Sequence, residues 1–325
     1  MRVRLKRRAC IAGIAFAYCA VDHAAAQQWP AKSIRLIAPF AAGGATDTVT
    51  RTYAERLSAA LGQTVLVDNR PGASGTIGLD LAAKAVPDGY TLAAADGTMA
   101  IAVHLNRGLP YDPRTSFAPI SLVSLSTHVL VVHASVPAVN VREFIALARQ
   151  KPGAYAYATS GAGTEQHLSG ELIKKMTGIQ MTHVPYKGGG QAIVDLVGGQ
   201  VPVAVLGAAP VIPHARAGRV RILAVTAGQR SSVLPDVPTL AEFGLPGFDV
   251  SQWLSFVAPA KLPSAIVSRL NAEIVNIAVL PGVREKLATL GIEPTTSTPQ
   301  QLADRIRAGI EIAGRRLKEL GIEPE

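Results

Sequence analysis

Two glycine-rich stretches are where this chain could do chemistry. The first is Phe40-Ala41-Ala42-Gly43-Gly44-Ala45-Thr46-Asp47, and the second is Thr159-Ser160-Gly161-Ala162-Gly163-Thr164. Each follows a run of strand character and precedes a segment of helical character. Glycines let the backbone turn sharply and bring N–H groups close to a bound molecule. A helix that starts there adds a partial positive charge of about half a unit. Thr46, Ser160 and Thr164 add hydroxyl donors. Together these make an anion-binding device that needs no Lys or Arg. Taken singly, either loop reads equally well as a structural turn. A pair, one in each half of the chain, is the pattern of a molecule held from two sides.

Two neighbouring residues keep two readings each. Asp47 either complements the dipole of the helix it opens or contacts a ligand hydroxyl or amine, directly or through water. His167 either touches the ligand or caps and packs its own helix. Other chemistries fail on motif. Neither loop matches G-x-G-x-x-G, and Lys187-Gly188-Gly189-Gly190 lacks the G-K-[ST] ending of a phosphate loop. There is no H-E-x-x-H and no G-x-S-x-G, and the seven histidines are scattered. No metal, no cofactor and no enzymatic activity are expected. An exported hydrolase with Asp47 and His167 as acid and base would lack a nucleophile.

The elements that must position these loops alternate. Ile34 to Phe40 is a continuous apolar run, as in a buried parallel strand. Val49, Tyr53, Leu57 and Leu61 recur at helical spacing, and Gly62 stops the helix. The unit repeats as strand Thr64 to Asp68, loop Pro71 to Gly75, and helix Thr76 to Val86. Strand Tyr90 to Ala95 follows, with exit loop Asp96-Gly97-Thr98. Alternation of this kind predicts parallel sheets with right-handed crossovers. Ile120 to His133 reads as a long strand crossing into a second lobe.

That second lobe repeats the pattern: helix Val141 to Gln150, strand Tyr155 to Ser160 and helix Glu165 to Thr177. Strand Met181 to Tyr186, helix Gln191 to Val197 and strand Val201 to Leu206 come next. A short helix near Ile212 to Ala217 and strand Arg221 to Thr226 complete it. Trp253 to Ala258 crosses back, and helices finish the chain against the first lobe. The cleft between two such lobes is where a ligand is expected.

The ends and the charge set the compartment. Arg2, Arg4, Lys6, Arg7 and Arg8 precede the apolar run Ala9 to Ala20, and Ala24-Ala25-Ala26 offers small residues for cleavage. This is the form of an export signal, too short to span a bilayer, which takes roughly 20 residues. Cleavage near Ala26 removes both cysteines, Cys10 and Cys19, and leaves a mature chain without thiols for the periplasm. The net charge of +9 then falls to +5, because five basic residues and one acid go with the signal. Aromatics make up only 5% of the chain. No basic stripe interleaved with aromatics is present, so no nucleic-acid partner is expected. A gene-regulator effector lobe, which shares this two-lobed fold, is argued against by the export signal and by the lack of a helix-turn-helix.

Five stretches carry a resemblance to a known family. They are PFAAGGATD (Pro39–Asp47), DNRPGASGTIG (Asp68–Gly78), TSGAGTEQHL (Thr159–Leu168), VPYKGGGQAIVDLVGGQV (Val184–Val201) and PDVPTLAEFGLPGF (Pro235–Phe248). Together they resemble the Bug-type extracytoplasmic solute receptors of tripartite tricarboxylate transporters. The resemblance implies a two-lobed α/β periplasmic binding protein fold of type II-like form, with two connecting strands. It implies a monomer that closes on a small carboxylate (a mono-, di- or tricarboxylate, or an amino acid) and delivers it to membrane subunits of a tripartite transporter, or reports it to a sensor kinase. It also implies that the carboxylate is gripped by Phe40–Asp47 and Thr159–Thr164. Two departures stand out. Ala41-Ala42 replaces the usual proline before the paired glycines. Gly207-Ala208 replaces the Asp-Asn of many relatives after the preceding strand, so the ligand end facing Gly207 is expected to be less polar or bulkier than theirs.

The expected organisation is therefore a signal at 1–26, lobe 1 from 27–125 and 250–325, and lobe 2 from 126–249. Ligand contacts are expected in lobe 1 from Phe40, Ala42, Gly43, Gly44, Ala45, Thr46, Asp47, Ser74, Gly75, Asp96 and Thr98. In lobe 2 they are expected from Thr159, Ser160, Gly161, Gly163, Thr164, His167, Tyr186, Gly207 and Ala208.

Overall fold

The computed structural model describes residues 29–232 and 234–322. The expected export segment lies outside the described residues. Lobe 1 is built on parallel strands β1 (Ile34–Ala38), β2 (Val65–Asn69) and β3 (Thr91–Asp96). Beside β3 runs β9 (Ser251–Pro259), and beside β9 runs β4 (Phe117–His133), both pairings antiparallel. Lobe 2 is built on parallel strands β5 (Tyr155–Thr159), β6 (Met181–Pro185) and β7 (Val203–Gly207). The far half of β4 joins β7 and also β8 (Val220–Val225), again antiparallel. The strand orders β2-β1-β3-β9-β4 and β6-β5-β7-β4-β8 are therefore matching designs that share one strand.

Both faces of each sheet are covered, which is why the strands read as unbroken apolar runs. Side chains alternate across the pleat. Ile34 and Leu36 thus join one core with Tyr53 and Leu57 of α1 (Ala45–Leu61) and Leu270 and Ile274 of α8 (Ser264–Ala278). Ile37 and Ala93 join another with Met99 of α3 (Thr98–Leu105) and with Leu302, Ile306 and Ile310 of α10 (Pro299–Leu320). In lobe 2, Leu130 and Val132 face Phe144 of α4 (Val141–Gln150), while Val129 and Val131 face α6 (Gly189–Val197) and α7 (Ala208–Arg216). Each fully buried aliphatic side chain contributes about 1.5–3 kcal/mol.

The structure departs from the sequence reading at several places. The sheets are mixed rather than parallel, because the two crossing strands run against their neighbours. β4 begins at Phe117, earlier than expected, and carries Pro119 at a register shift. A proline there sits where the ladder is already interrupted. The helix α3 was not anticipated. Its sequence, TMAIAVHL, is apolar on most sides, so it shows no amphipathic stripe to read. A three-residue strand, β10 (Ile292–Pro294), pairs with β4 between α9 (Pro281–Ala288) and α10.

The crossings are knotted together at Thr226, which is fully buried. Its N–H donates to His128 O at 2.9 Å and its carbonyl accepts the Val250 N–H at 2.8 Å. Its Oγ1 donates to Val250 O at 2.7 Å. One side chain thereby ties the outgoing strand β4 to the segment that leads into β9. Thr226→Val keeps the shape and removes the hydroxyl donor. The expected cost is about 1–3 kcal/mol, the usual figure for a buried group left unsatisfied, measured as a lower urea midpoint with the slope unchanged.

Candidate functional site

The carboxyl ends of the strands in both lobes face each other across a small enclosed space of about 20 Å³. Lobe 1 lines it with Phe40, Gly44, Ala45, Thr46, Asp96 and Thr98. Lobe 2 contributes Ser160, Thr164, Glu165, Gln166, Gly189, Gly207 and Pro210, and the crossing strands contribute His128 and Gln252. A volume of this size holds little more than one water. Anything larger than a water would need the lobes to part.

Five helices begin at this space: α1, α3, α5 (Glu165–Thr177), α6 and α7. The first N–H groups of a helix have no partner within it. At α1, α6 and α7 the N-cap residues are Gly44, Gly188 and Gly207, and no side chain caps them. Bare amides and three positive dipole ends thus converge where no Lys or Arg is present among the described lining residues. Such an arrangement can hold an anion through backbone alone.

The two glycine loops are not equivalent, although their sequences suggested a matched pair. The lobe 2 loop satisfies many of its own donors. Ser160 N–H donates to Gln166 Oε1 at 2.7 Å and Gly161 N–H to Thr159 Oγ1 at 3.2 Å. Gly163 N–H donates to His167 Nδ1 at 3.1 Å. Thr164 Oγ1 accepts the His167 N–H at 3.2 Å and donates to Gly161 O at 2.8 Å. Beneath the loop, His167 stacks on His183 with ring centroids 4.0 Å apart, and His183 Nε2 lies 2.7 Å from Thr159 Oγ1. Burial, then the neighbouring His167, lowers the His183 pKa to about 4. His167 therefore shapes the loop from behind and does not line the enclosed space.

Asp47 plays the corresponding part in lobe 1. It is buried, and its carboxylate accepts the Gly43 N–H at 3.0 Å, Asn69 Nδ2 at 2.8 Å and Arg51 Nε at 3.0 Å. Asn69 Nδ2 also donates to Phe40 O at 3.0 Å. These contacts hold the loop from Phe40 to Gly44 in shape. Burial alone would raise the pKa of Asp47; the bonds from Arg51, Asn69 and Gly43 outweigh it and hold the group below the usual carboxylate range. Its stabilisation is therefore complete above about pH 4, the unfolded value, and fades as pH falls through the lower folded value.

Of the remaining anticipated residues, Ser74, Gly75, Gly161 and Tyr186 line an adjoining 250 Å³ cavity together with Phe40, Ser160 and Lys187. The Tyr186 hydroxyl donates to Asp195 Oδ2 at 2.6 Å. Ala42, Gly43, Thr159, Gly163 and Ala208 form the loops and helix ends around the enclosed space without lining it. The reading missed Glu165, Gln166, Gly189, Pro210, His128 and Gln252. His128 and Gln252 sit in β-prone runs, where nothing marks a residue as facing a cleft. Glu165 and Gln166 directly follow a loop that had been singled out.

The Lys187–Gly190 segment has a role that its failed phosphate-loop motif did not suggest. It is where lobe 2 meets the lobe 1 loop, backbone against backbone. Ala41 N–H donates to Lys187 O at 3.0 Å across the cleft. A methyl group built on Gly190 would lie 2.0 Å from Ala42 O, and one on Gly188 would lie 2.7 Å from Ala41 N. Gly207 is equally constrained, since its Cβ would lie 2.9 Å from Ala45 Cβ and 3.0 Å from Gln252 Oε1. Polar groups are not lost from this wall. His128 pairs opposite Gly207 in register, and Gln252 fills the place of a side chain there.

Two α/β lobes, two crossing strands and a polar space between helix ends define a periplasmic binding protein. The chain belongs to the tripartite tricarboxylate transporter receptor family, whose model matches residues 49–322. It is similar to the periplasmic binding protein BugD, with 31% identity and a TM-score of 0.89 over 91% of this chain and 100% of that one. It is similar to R. palustris Rpa4515 with adipate, with 36% identity and a TM-score of 0.88 over 91% and 100% of the two chains. MatC from Rhodopseudomonas palustris with bound malate gives 32% identity and a TM-score of 0.83 over 89% and 100%. Proteins of this family are solute-binding proteins, not enzymes.

Gly190→Ala improves the helix propensity of α6 by up to about 1 kcal/mol yet places a methyl group against Ala42 O. Solution X-ray scattering is expected to show a larger radius of gyration, and solute affinity to fall at least tenfold, with no loss of melting temperature. Asp47→Asn is expected to weaken the fold by about 1–3 kcal/mol at neutral pH. Its deficit against the parent protein should shrink below about pH 4, read from urea titrations at several pH values.

Proposed function

We propose that this protein is a periplasmic receptor that captures a small carboxylate and hands it to the membrane subunits of a tripartite tricarboxylate-type transporter. The observation that carries this reading is the convergence of five helix N-termini on one small space with no Lys or Arg among its described lining residues. A carboxylate is the anion that suits uncapped amides at α1, α6 and α7. It completes hydrogen bonds that the chain leaves open, and its charge faces the positive dipole ends. Thr46 and Ser160, one from each lobe, add hydroxyls to the same lining. The relatives solved with adipate and with malate support a carboxylate as the ligand class. The family's description as receptors of tripartite tricarboxylate transporters supports transfer to membrane subunits. In this reading the lobes part to admit the solute and close so that both supply donors.

A thermal-shift screen of mono-, di- and tricarboxylates tests the reading. A hundredfold excess over the dissociation constant corresponds to about 2.7 kcal/mol of stabilisation. For a chain of this size that is a shift of several degrees, on the scale of about 2–4 °C per kcal/mol for 150–250 residues. A flat response to every carboxylate would overturn the proposal.

A further inference from the structure

Besides the backbone seam at Gly188 to Gly190, the lobes meet along a second seam, made of side chains. It begins in the sequence of α10. Leu302, Ile306, Ile310, Ala313 and Leu317 recur at helical spacing and are all buried, so the helix carries one continuous apolar stripe. The stripe serves two clusters. Leu302, Ile306 and Ile310 join the core of lobe 1 with Ile37 and Met99. Ala313 and Leu317, further along the helix, leave that core and pack with Ile101 of α3 and Leu168 of α5. Leu168 comes from lobe 2, where Ile173 of the same helix is anchored in the core with Phe144. Leu320 and Ile322 pack against the seam as well. After the left-handed Gly321, the Ile322 N–H turns back to Leu317 O at 3.0 Å.

The approach is close along the whole seam. A methyl group built on Gly163 of lobe 2 would lie 2.9 Å from Leu105 Cδ1 of α3, and one built on Gly97 of lobe 1 would overlap the Glu165 carboxyl of α5. Arg316, on the same stretch of α10, donates through Nη2 to Asp249 O, and Asp249 Oδ1 accepts the Gly228 N–H at 3.0 Å. Ile101, Leu168, Ala313 and Leu317 are each 3–4% exposed. That burial lasts only while the lobes are together. α3 and α10 travel with lobe 1 and α5 with lobe 2, so parting the lobes returns Leu168 and its neighbours to water.

We propose that the seam of α3, α5 and α10 is a latch that needs no solute: it holds the empty receptor mainly closed, and Leu168, Leu317 and Arg316 set affinity without touching what is bound. Apolar burial is non-directional and asks nothing of the solute. Solute enters through the open minority of molecules, and the latch brings the lobes back over it. Apparent affinity scales with the fraction of molecules in the binding-competent form, so a weakened latch loosens binding from a distance. The proposal rests on the parting and closing of the lobes in the proposed function, and not on the carboxylate.

The test uses solute-free protein, stripped by unfolding and refolding in urea, with a spin label on one introduced cysteine in each lobe, Val86→Cys and Val139→Cys. Both valines are exposed, and the two natural cysteines fall in the expected export segment. Electron–electron distance measurement is expected to give one narrow distribution, at the separation seen in this structure. Leu168→Ala and Leu317→Ala should each add a displaced population, raising the ratio of open to closed molecules about tenfold or more. Arg316→Ala, which opens no cavity in a core, should shift it the same way by a smaller factor. Phe144→Leu, in the lobe 2 core away from the seam, should lower the melting temperature and leave the distribution unchanged. A parent protein that is mostly open without solute overturns the proposal, and so do seam variants that keep the parent distribution. Neither result depends on which solute binds. A flat thermal-shift screen strikes the carboxylate reading and leaves the latch standing.

Discussion

The cleft depends on how closely two stretches of bare backbone approach. Ala41 to Gly44 in lobe 1 lies on Gly188 to Gly190 in lobe 2, with a hydrogen bond from Ala41 N–H to Lys187 O between them. Side chains at Gly188 or Gly190 would hold these segments apart. The ends of α1 and α6 would then no longer share one small space, and the amides they present would be left to water. Water screens charge and offers its own hydrogen bonds, so the dipole ends would lose most of their pull on an anion. The proposed anion site is thus a product of close packing as much as of electrostatics.

The two lobes prepare for that approach differently. In lobe 1, Asp47, Asn69 and Arg51 hold the loop from outside the cleft, and the helix beyond it stays uncapped. In lobe 2, Thr164, Gln166 and His167 bond within the loop, and the His167–His183 stack supports it from behind. A held loop loses little conformational freedom when a solute arrives, so less of the binding energy goes into ordering it. Uncapped donors come from both lobes, from α1 in lobe 1 and from α6 and α7 in lobe 2, while the Thr159–Thr164 loop keeps most of its hydrogen bonds to itself.

Much of the architecture was legible because both lobes bury both faces of their sheets. Runs such as Ile34 to Phe40 and Tyr155 to Ser160 stood out, and the glycine punctuation after them marked the strand exits. What escaped had a physical reason in each case. α3 is apolar on most sides and left no stripe. The antiparallel sense of β4 and β9 depends on chain path rather than on composition. Lys187–Gly190 has the glycines of a phosphate loop without its ending, and the contact that those glycines permit lies in another lobe, more than a hundred residues earlier in the chain. Asp47 was visible as an acid in a first helical turn, yet its task depends on Asn69 and Arg51, whose convergence no local spacing announces. His128 and Gln252 are polar residues in buried strands, and their placement depends on where the two lobes meet.

β4 runs unbroken through both lobes and exchanges β9 for β7 as its neighbour between Thr127 and His128. A strand can twist and flex but it does not stretch, so the lobes turn about this point as about a pivot. Side chains at a pivot travel least. β1, whose loop carries Ala41, lies three strands away from β4 and moves on a long lever arm. In the proposed opening and closing, His128 and Gln252 would therefore form a fixed reference within a moving site. A solute would meet that reference as it enters, and the rim contacts made by closing would come second.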